Sequence, residues 1–432
     1  MIVDPLAVVL LIGVFALSLL LRIPVALGLA ISALSTALYL GIPLPLIGQQ
    51  MTNGLLSFPL LAIPLFILAG EIMGAGGISR RLIDFANLFI GRLRGGMALL
   101  NVISSTFFGG ISGSAVADTS SIGSVMVPVM RRTGYDAKFS VGVTISSSIQ
   151  GVLIPPSHNM IIYALAAGGG VSIGALFMAG ILPGLLLGAV LLVTTYILAR
   201  RRKYPKGERI PRGKAPRVVW EGTLGLLTPV IILGGVITGI FTATESAAIA
   251  CVWALFVAMV VYRELTFKGL VRVLANSMRT LAVVLFLIAS AGAFGYLLTV
   301  LHIPAALTAG LTGVSENPIV LLLLINLLLL ALGAIMDMAP LILIATPILL
   351  PVATSIGMDP IQFGIMLMLN LGIGLITPPV GGVLFVGAAI GRTTIEDATR
   401  GVLPFYVPMV VVLLAITFVP GLSLWLPSVL NL

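Results

Sequence analysis

The sequence is poor in charge, cysteine and histidine, and each shortage removes a class of explanation. Only 9% of its 432 residues are charged, against about 25% in a soluble domain. With 59% hydrophobic residues, the chain is too apolar to face water, which excludes a soluble enzyme and a disordered chain. The single cysteine, Cys251, lies in an apolar run, so no disulfide framework, CxxC motif or metal-ligand cluster is available. His158 and His302 are far apart in sequence, and the acids number 14. No HExxH, GxSxG or paired-aspartate signature accompanies them, which speaks against an intramembrane enzyme. The net charge of +9 suggests nucleic acid only until the cations are placed.

Apolar length, glycine and proline are abundant. A membrane helix needs roughly 20 apolar residues, and the 49 glycines and 26 prolines suit helices that are broken or closely packed in a bilayer. Full spans are expected at 5–21, 24–42, 54–74, 139–167, 174–199, 222–241, 244–262, 277–299, 361–390 and 402–425. The run from Leu6 lacks a basic leader and a small-residue cleavage site, so it reads as a first span. Two further stretches, 98–130 and 318–355, are interrupted near their middles and read as re-entrant hairpins.

The cations choose the orientation. With the N-terminus outside, Arg22 falls inside, as do Arg80, Arg81, Arg92, Arg94, Arg131, Arg132 and Lys138. So do Arg200, Arg201, Arg202, Lys203, Lys206, Arg209, Arg212, Lys214 and Arg217 of a central loop. Arg263, Lys268, Arg272, Arg279, Arg392 and Arg400 complete all 23 lysines and arginines. Both termini are then periplasmic, and 200–221 is a solvated cytoplasmic linker beside anionic lipid headgroups. Nucleic acid is not a partner; the lipid bilayer is.

The halves repeat. Pro128, Gly134, Asp136, Pro155 and Pro156 match Pro351, Gly357, Asp359, Pro378 and Pro379 at a constant offset of 223 (351 − 128). Gly180 and Pro183 match Gly401 and Pro404 after a two-residue slip. The first copy enters its hairpin from inside and the second from outside, the inverted-topology arrangement of secondary transporters. Residues 1–199 form the first repeat, with scaffold helices over 5–74, the hairpin 98–130, a broken helix 139–167 and a helix 174–199. Residues 222–432 form the second, with scaffold helices over 222–299, the hairpin 318–355, a broken helix 361–390 and a helix 402–425. The expected fold is an all-α polytopic membrane protein with about ten full spans and two re-entrant helical hairpins.

Each Pro-Pro pair lies inside an apolar stretch. Two prolines unwind a helix and free its carbonyls, which in hydrocarbon costs several kcal/mol unless they line a polar cavity or bind something. Matching breaks in inverted halves point to a substrate and ion site; the bland alternative is a pair of packing kinks. The hairpin tips, Gly109–Thr119 and Gly333–Pro340, are the expected partners of the breaks. Helix-end carbonyls with Ser, Thr, Asn and Asp oxygens suit a hard cation such as sodium, and half-helix N-termini suit an anionic group. Asp337 is an acid at a tip expected to be membrane-buried, read as an ion or proton site or a hairpin cap. Asp118 is equally a cation ligand or a structural partner. Ser157 and Asn159 serve the site or cap the helix after Pro156. His158 is a cavity-lining residue or a proton carrier, Arg22 anchors a helix end, and Glu245 with Thr242 caps an outer helix start.

At these motifs the chain resembles the large membrane subunit of TRAP (tripartite ATP-independent periplasmic) transporters, within the ion transporter superfamily. The matching stretches are Phe107–Asp118, Gly134–Asp136, Ile154–Ser157, Gly239–Glu245, Met336-Asp337, Thr346–Pro351 and Ile376–Gly381, and the similarity covers nearly the whole chain. The resemblance implies sodium-coupled uptake of an organic acid across the bacterial inner membrane by an elevator mechanism. It also implies a periplasmic substrate-binding protein and a small four-helix membrane subunit supplied by another polypeptide. By position, one sodium site takes Ser112, Gly113 and Ser114 with Pro155, Ser157 and Asn159; the other takes Gly333, Asp337, Thr377, Pro378 and Gly381. Ser157, Asn159, Asp118, Pro379 and Gly382 fall at substrate positions. Val383 stands where some members carry Asn, so a substrate or ion contact attributed to that side chain is not carried over to this chain. The runs Ser157–Asn159 and Gly381–Phe385 look closest to members that handle sugar acids. A stand-alone sodium- or proton-coupled carboxylate carrier of the same superfamily is the main alternative; a channel or passive scaffold fits two symmetry-related broken helices less well.

Overall fold

The computed structural model describes residues 4–90, 93–207, 212–315, 317–430 and 432; Arg92 and Arg209 of the charge map lie outside them. Helices α1 (Pro5–Leu20), α2 (Val25–Tyr39) and α3 (Leu44–Leu55) lead through a 3-10 turn (Phe58–Leu61) into α4 (Ala62–Ala75) and α5 (Ile78–Ile90). A hairpin follows, α6 (Gly96–Ser112) and α7 (Ala115–Arg132), then a broken helix, α8 (Ala137–Ser148), α9 (Gln150–Leu153) and α10 (His158–Ala166), and then α11 (Ile173–Arg201). The second half has α12 (Ala215–Ile237), α13 (Ala243–Phe256, prolonged by the π turn Val257–Val261), α14 (Phe267–Val300) and α15 (Ile303–Val314). Next come a second hairpin, α16 (Pro318–Gly333) and α17 (Met338–Ser355), and a second broken helix, α18 (Pro360–Gly374) and α19 (Gly382–Gly391). The chain closes with α20 (Ile395–Phe418) and α21 (Gly421–Val429). Among the described residues, 6 helices are long and apolar enough to cross a membrane, or up to 8 if the bent pairs α4–α5 (70°) and α8/α9–α10 (51°) each make one span.

Several boundaries depart from the hydropathy reading. Helix α12 begins at Ala215, inside the stretch 200–221 expected as linker; Pro216 suits its first turn, and Arg217 pairs with Glu221 one turn on (2.7 Å). Helix α14 begins at Phe267 rather than 277, where Thr266 Oγ1 caps it by accepting from Gly269 N (3.2 Å). Its cations at 268, 272 and 279 depress the mean hydropathy of that end without interrupting the helix. Helices α3, α5, α15 and α21 were not expected. In α5, Ile78, Leu82, Ile83 and Ala86 are buried on one side while Arg80, Arg81 and Asp84 interrupt the apolar run, so its signal is periodicity, not mean hydropathy.

The repeated positions take the same local roles. Gly134 and Gly357 have left-handed φ (94° and 88°) just past α7 and α17, where a side chain would be strained. The next residues close Schellman-type bonds, Tyr135 N to Met130 O and Met358 N to Ala353 O, both 3.0 Å. Asp136 then caps α8 by accepting from Phe139 N, and Asp359 caps α18 by accepting from Ile361 N, both 2.7 Å. The Pro155-Pro156 and Pro378-Pro379 bonds are both cis.

Polar bonds in an apolar interior hold each hairpin to its broken helix. Asn101 Nδ2 donates to Thr144 Oγ1 (2.6 Å), Ser105 and Ser147 share a hydroxyl bond (3.0 Å), and Thr106 Oγ1 donates to Gln150 Oε1 (2.7 Å). In the other half, Asn370 Nδ2 donates to Asn326 Oδ1 (2.9 Å) and Asn326 Nδ2 to Thr417 Oγ1 (3.2 Å). Such bonds contribute about 0.6–2 kcal/mol each in a membrane interior.

Charge gathers at one end of the bundle. The ion pairs among the described residues join Arg81 to Glu221 and Glu264, Lys138 to Asp397, Arg202 to Asp136 and Arg217 to Glu221. Arg131 also donates to Gly391 O (3.0 Å), and the backbone of Arg94 pairs with that of Lys206 in an isolated antiparallel bridge. The first hairpin therefore starts and finishes at this basic face. At the far ends of the helices, Tyr163 of α10 donates its hydroxyl to Pro360 O at the start of α18, where the second hairpin ends.

Candidate functional site

The first tip is pressed into the first break. Helix α6 stops at Gly113, whose φ of 60° is left-handed, and Ser114 caps α7 by accepting from Ala117 N (3.3 Å). A Cβ on Gly113 would lie 2.8 Å from Pro156 O and Ser157 Cα, so only glycine permits this approach. One turn back, a Cβ on Gly109 would lie 2.6 Å from Gly151 Cα. Ser157 Oγ donates to Gly113 O (3.4 Å). Pro155, Ser157 and Asn159 are buried, so Ser112, Gly113, Ser114, Pro155 and Ser157 converge, with Asn159 in the first turn of α10. Ser157 occupies the N-cap position of α10, yet its side chain makes no capping bond. The capping role expected for it gives way to the tip contact, because its hydroxyl is turned toward Gly113.

The second tip meets the second break through backbone. A Cβ on Gly374 would lie 2.6 Å from Gly333 C, and Ala334 O accepts from Val380 N (3.0 Å) and Gly381 N (3.4 Å). Thr377 Oγ1 donates to Ile373 O, and Tyr406 of α20 donates to Ile376 O, both 2.7 Å. Gly381 has φ 44°, and a Cβ there would lie 2.9 Å from Thr377 O.

The two pockets differ in cover. Pro378, Pro379, Val380 and Gly382 are exposed, and Val383 is buried. Asp337 is also exposed rather than buried; it caps α17, its Oδ1 accepting from Met338 N (2.8 Å). The N-cap geometry turns the carboxylate toward its own helix, which accounts for the departure from the buried acid expected there. Asp118 is the opposite case: it is fully buried beside the Ser105 hydroxyl of α6. It does not line the cavity at the first tip.

That cavity, of about 410 Å³, lies between the first hairpin and two helices outside the hairpin group. Gly70, Glu71 and Gly74 of α4 and Thr280 and Val284 of α14 form one wall; Ser112, Ser114, Ser120 and Ser121 form the other, and His158 also lines the space. A second cavity of about 400 Å³ shares Gly74, Ala75, Ser120 and Ser121 and continues past Ser124 to Arg80 and Glu264 at the basic face. Sequence reasoning passed over Glu71, although an acid inside the apolar run 54–74 was the signal for it. Nothing in the sequence pointed to Thr280 or Tyr406, whose positions depend on helix packing.

Compared with known proteins, residues 12–422 match the family described as tripartite ATP-independent periplasmic transporter, DctM component. The chain is 42% identical over 424 residues to the protein YgiK of Salmonella typhimurium, covering 98% of this chain and 97% of that one. It is 41% identical over 380 residues to the sialic acid TRAP transporter large permease protein SiaM of Vibrio cholerae, covering 88% of each. It is 41% identical over 379 residues to the C4-dicarboxylate TRAP transporter large permease protein DctM of Pseudomonas aeruginosa, covering 87% of each. The crystal structure of the Alcanivorax borkumensis YdaH transporter superposes with a TM-score of 0.63 over 89% of each chain at 16% identity, a likeness of fold.

Proposed function

The chain belongs to the tripartite ATP-independent periplasmic transporter family as a DctM component, a multi-pass inner-membrane protein, and from that premise we propose that it is the large permease of a sodium-coupled organic-acid uptake system. Large permeases of this family work with a small permease and a periplasmic binding protein, and here the binding protein would deliver a carboxylate or sugar acid. The observation that carries the reading is the pairing of each hairpin tip with a Pro-Pro break, with a cavity between the first pair and α4 and α14.

Unwound backbone at membrane depth is tolerated where it lines a cavity or binds an ion. Ser112, Gly113 and Ser114 with Pro155, Ser157 and Asn159 would hold one sodium ion as cargo. Gly333, Thr377, Pro378 and Gly381 would hold another, with Asp337 at the tip shaping it. The anionic end of the substrate would meet the uncapped first turn of α10, near Ser157 and Asn159. None of Ser157, Asn159, Asp118, Pro379 and Gly382 is on the lining of the first cavity. Ser157 and Asn159 flank the lining residue His158 at the start of α10, and Asp118, Pro379 and Gly382 would act by adjusting the ion sites.

The hairpins and broken helices are bonded to one another, which supports their moving as one body past α1–α4 and α12–α14 in an elevator. The cavity at the first tip and a neighbouring one that shares Gly74, Ala75, Ser120 and Ser121 lie one after the other toward Arg80 and Glu264 at the basic face. With that face cytoplasmic, both termini periplasmic, about ten spans and two re-entrant hairpins, this form is the inward-open one. The test is uptake into proteoliposomes holding the chain and its small subunit, under an inward sodium gradient, with and without the binding protein. Uptake that needs both is the expected result. Uptake without the binding protein indicates a stand-alone carrier, and sodium-independent uptake overturns the ion assignment.

A further inference from the structure

The wall of the first cavity contributed by α4 carries a carboxylate where an anion transporter would be expected to carry none. Glu71 lines the cavity together with Ser112, Ser114, Ser120 and Ser121. Among the described residues, no lysine or arginine lines this first cavity (Arg80 lies in the adjoining one, where Glu264 carries the opposite charge), and none forms an ion pair with Glu71. His158 is the other ionisable group on the lining. It occupies the first position of α10, where the positive end of the helix dipole opposes an imidazolium. The fixed charge of the cavity is therefore that of Glu71. A carboxylate only accepts hydrogen bonds, whereas the serine hydroxyls both donate and accept. The cavity thus rewards a ligand with one anionic group near the serines and O–H donors toward α4. A second carboxylate reaching α4 would face Glu71, with a separation of about 6 Å taken as the order of magnitude. At an effective dielectric constant of about 20 that repulsion weakens binding about a hundredfold.

We propose that Glu71 makes this cavity a site for singly charged hydroxy and polyhydroxy acids and sets it against dicarboxylates. The proposal rests on the reading of the cavity as the substrate site. The volume of about 410 Å³ suits a ligand of sugar-acid size.

The test uses the full chain in sodium-containing nanodiscs, with D-gluconate and succinate as probes and binding read by calorimetry. Gluconate is expected to bind at least about tenfold tighter than succinate, and Glu71→Gln is expected to narrow that ratio at least about tenfold, with the sodium dependence of binding unchanged. An unchanged ratio in Glu71→Gln, tighter succinate binding by the wild type, or no binding of either probe overturns the proposal. Loss of sodium dependence in Glu71→Gln also overturns it, by making Glu71 an ion ligand. Val284→Trp, which fills the cavity from α14, separates the two levels of the argument. If the wild type binds and the folded Val284→Trp protein binds equally well, the cavity is not the substrate site. If Val284→Trp abolishes binding while Glu71→Gln leaves the ratio alone, the site stands and the selectivity assignment falls.

Discussion

Replacing Gly374 by alanine is the most direct test of the second tip-to-break contact. The added Cβ would sit 2.6 Å from Gly333 C, 2.7 Å from its Cα and 2.9 Å from its O. Ordinary contact begins near 3.4 Å, so the tip must retreat by about 0.8 Å. All three atoms are backbone, and no rotamer change relieves them. Overpacking of this kind costs about 1–3 kcal/mol. The displacement also pulls Ala334 O from Val380 N and Gly381 N, the bonds that hold the tip over the proposed ion site. Ion ligation tolerates displacements of only about 0.2 Å, so most of that cost is expected to fall on the ion-bound state. One decade in affinity corresponds to about 1.4 kcal/mol, and the sodium concentration for half-maximal uptake should rise about tenfold. Gly421→Ala, with nothing within 4 Å of its Cβ and far from both tips in sequence, is the control and should leave uptake unchanged. Sodium-dependent uptake by purified protein in proteoliposomes reads both. A folded Gly374→Ala protein with wild-type sodium dependence would refute the reasoning.

Gly113→Ala should abolish uptake while the protein still inserts, because it combines a left-handed φ with contact at 2.8 Å to the first break; retained uptake would dissociate that contact from transport. Asn101→Ala should lower the thermal midpoint by the equivalent of about 1–2 kcal/mol, since Thr144 loses its donor in an apolar interior; a double-mutant cycle with Thr144→Ala checks the pairing. Burial pushes the Asp136 carboxyl up, but the Tyr204 hydroxyl, the Phe139 N–H and Arg202 outweigh it and hold it below the usual carboxylate range. A depressed carboxyl stabilises the fold above its unfolded pKa of about 3.9, and that contribution is lost as pH falls through the lower folded value. Asp136→Asn should therefore be less stable than wild type by about 0.5–1 kcal/mol at neutral pH, with the difference vanishing in acid. Melting curves between neutral pH and about pH 3 check the sign.

Elements with uniform composition were legible before any coordinates. The two hairpins and both broken helices came from apolar length, Gly-rich interruptions and Pro-Pro pairs, each of which has a local physical meaning. The recurrence of Gly134/Gly357 and Asp136/Asp359 was visible as a pattern, but its cause was not: a left-handed turn followed by a cap, repeated. Helices α3 and α5 escaped because amphipathic segments have middling mean hydropathy. The exposure of Asp337 was illegible because N-cap geometry and tip burial are both three-dimensional. Ser157 was correctly placed at the break, whereas the turn of its hydroxyl toward Gly113 depends on a residue far off in sequence. Glu71 lay in plain view but outside both repeated motifs, and its significance comes from the serine-bearing hairpin packed opposite.

The gathering of ion pairs on one face also bears on how the chain enters a bilayer. Arg81, Arg94, Arg131, Lys138, Arg202 and Arg217 meet partners or neighbours there, so the segments threaded to the opposite side need carry no guanidinium or ammonium through hydrocarbon. Arg81 and Lys138 can wait at that surface until Glu221 and Asp397 arrive much later in the chain, whereas Arg202 finds Asp136 already made and Arg217 pairs with Glu221 one turn on. Assembly of the finished bundle thus becomes a matter of lateral association at a single surface, and Asp397, the last acid in the chain, closes the pair with Lys138.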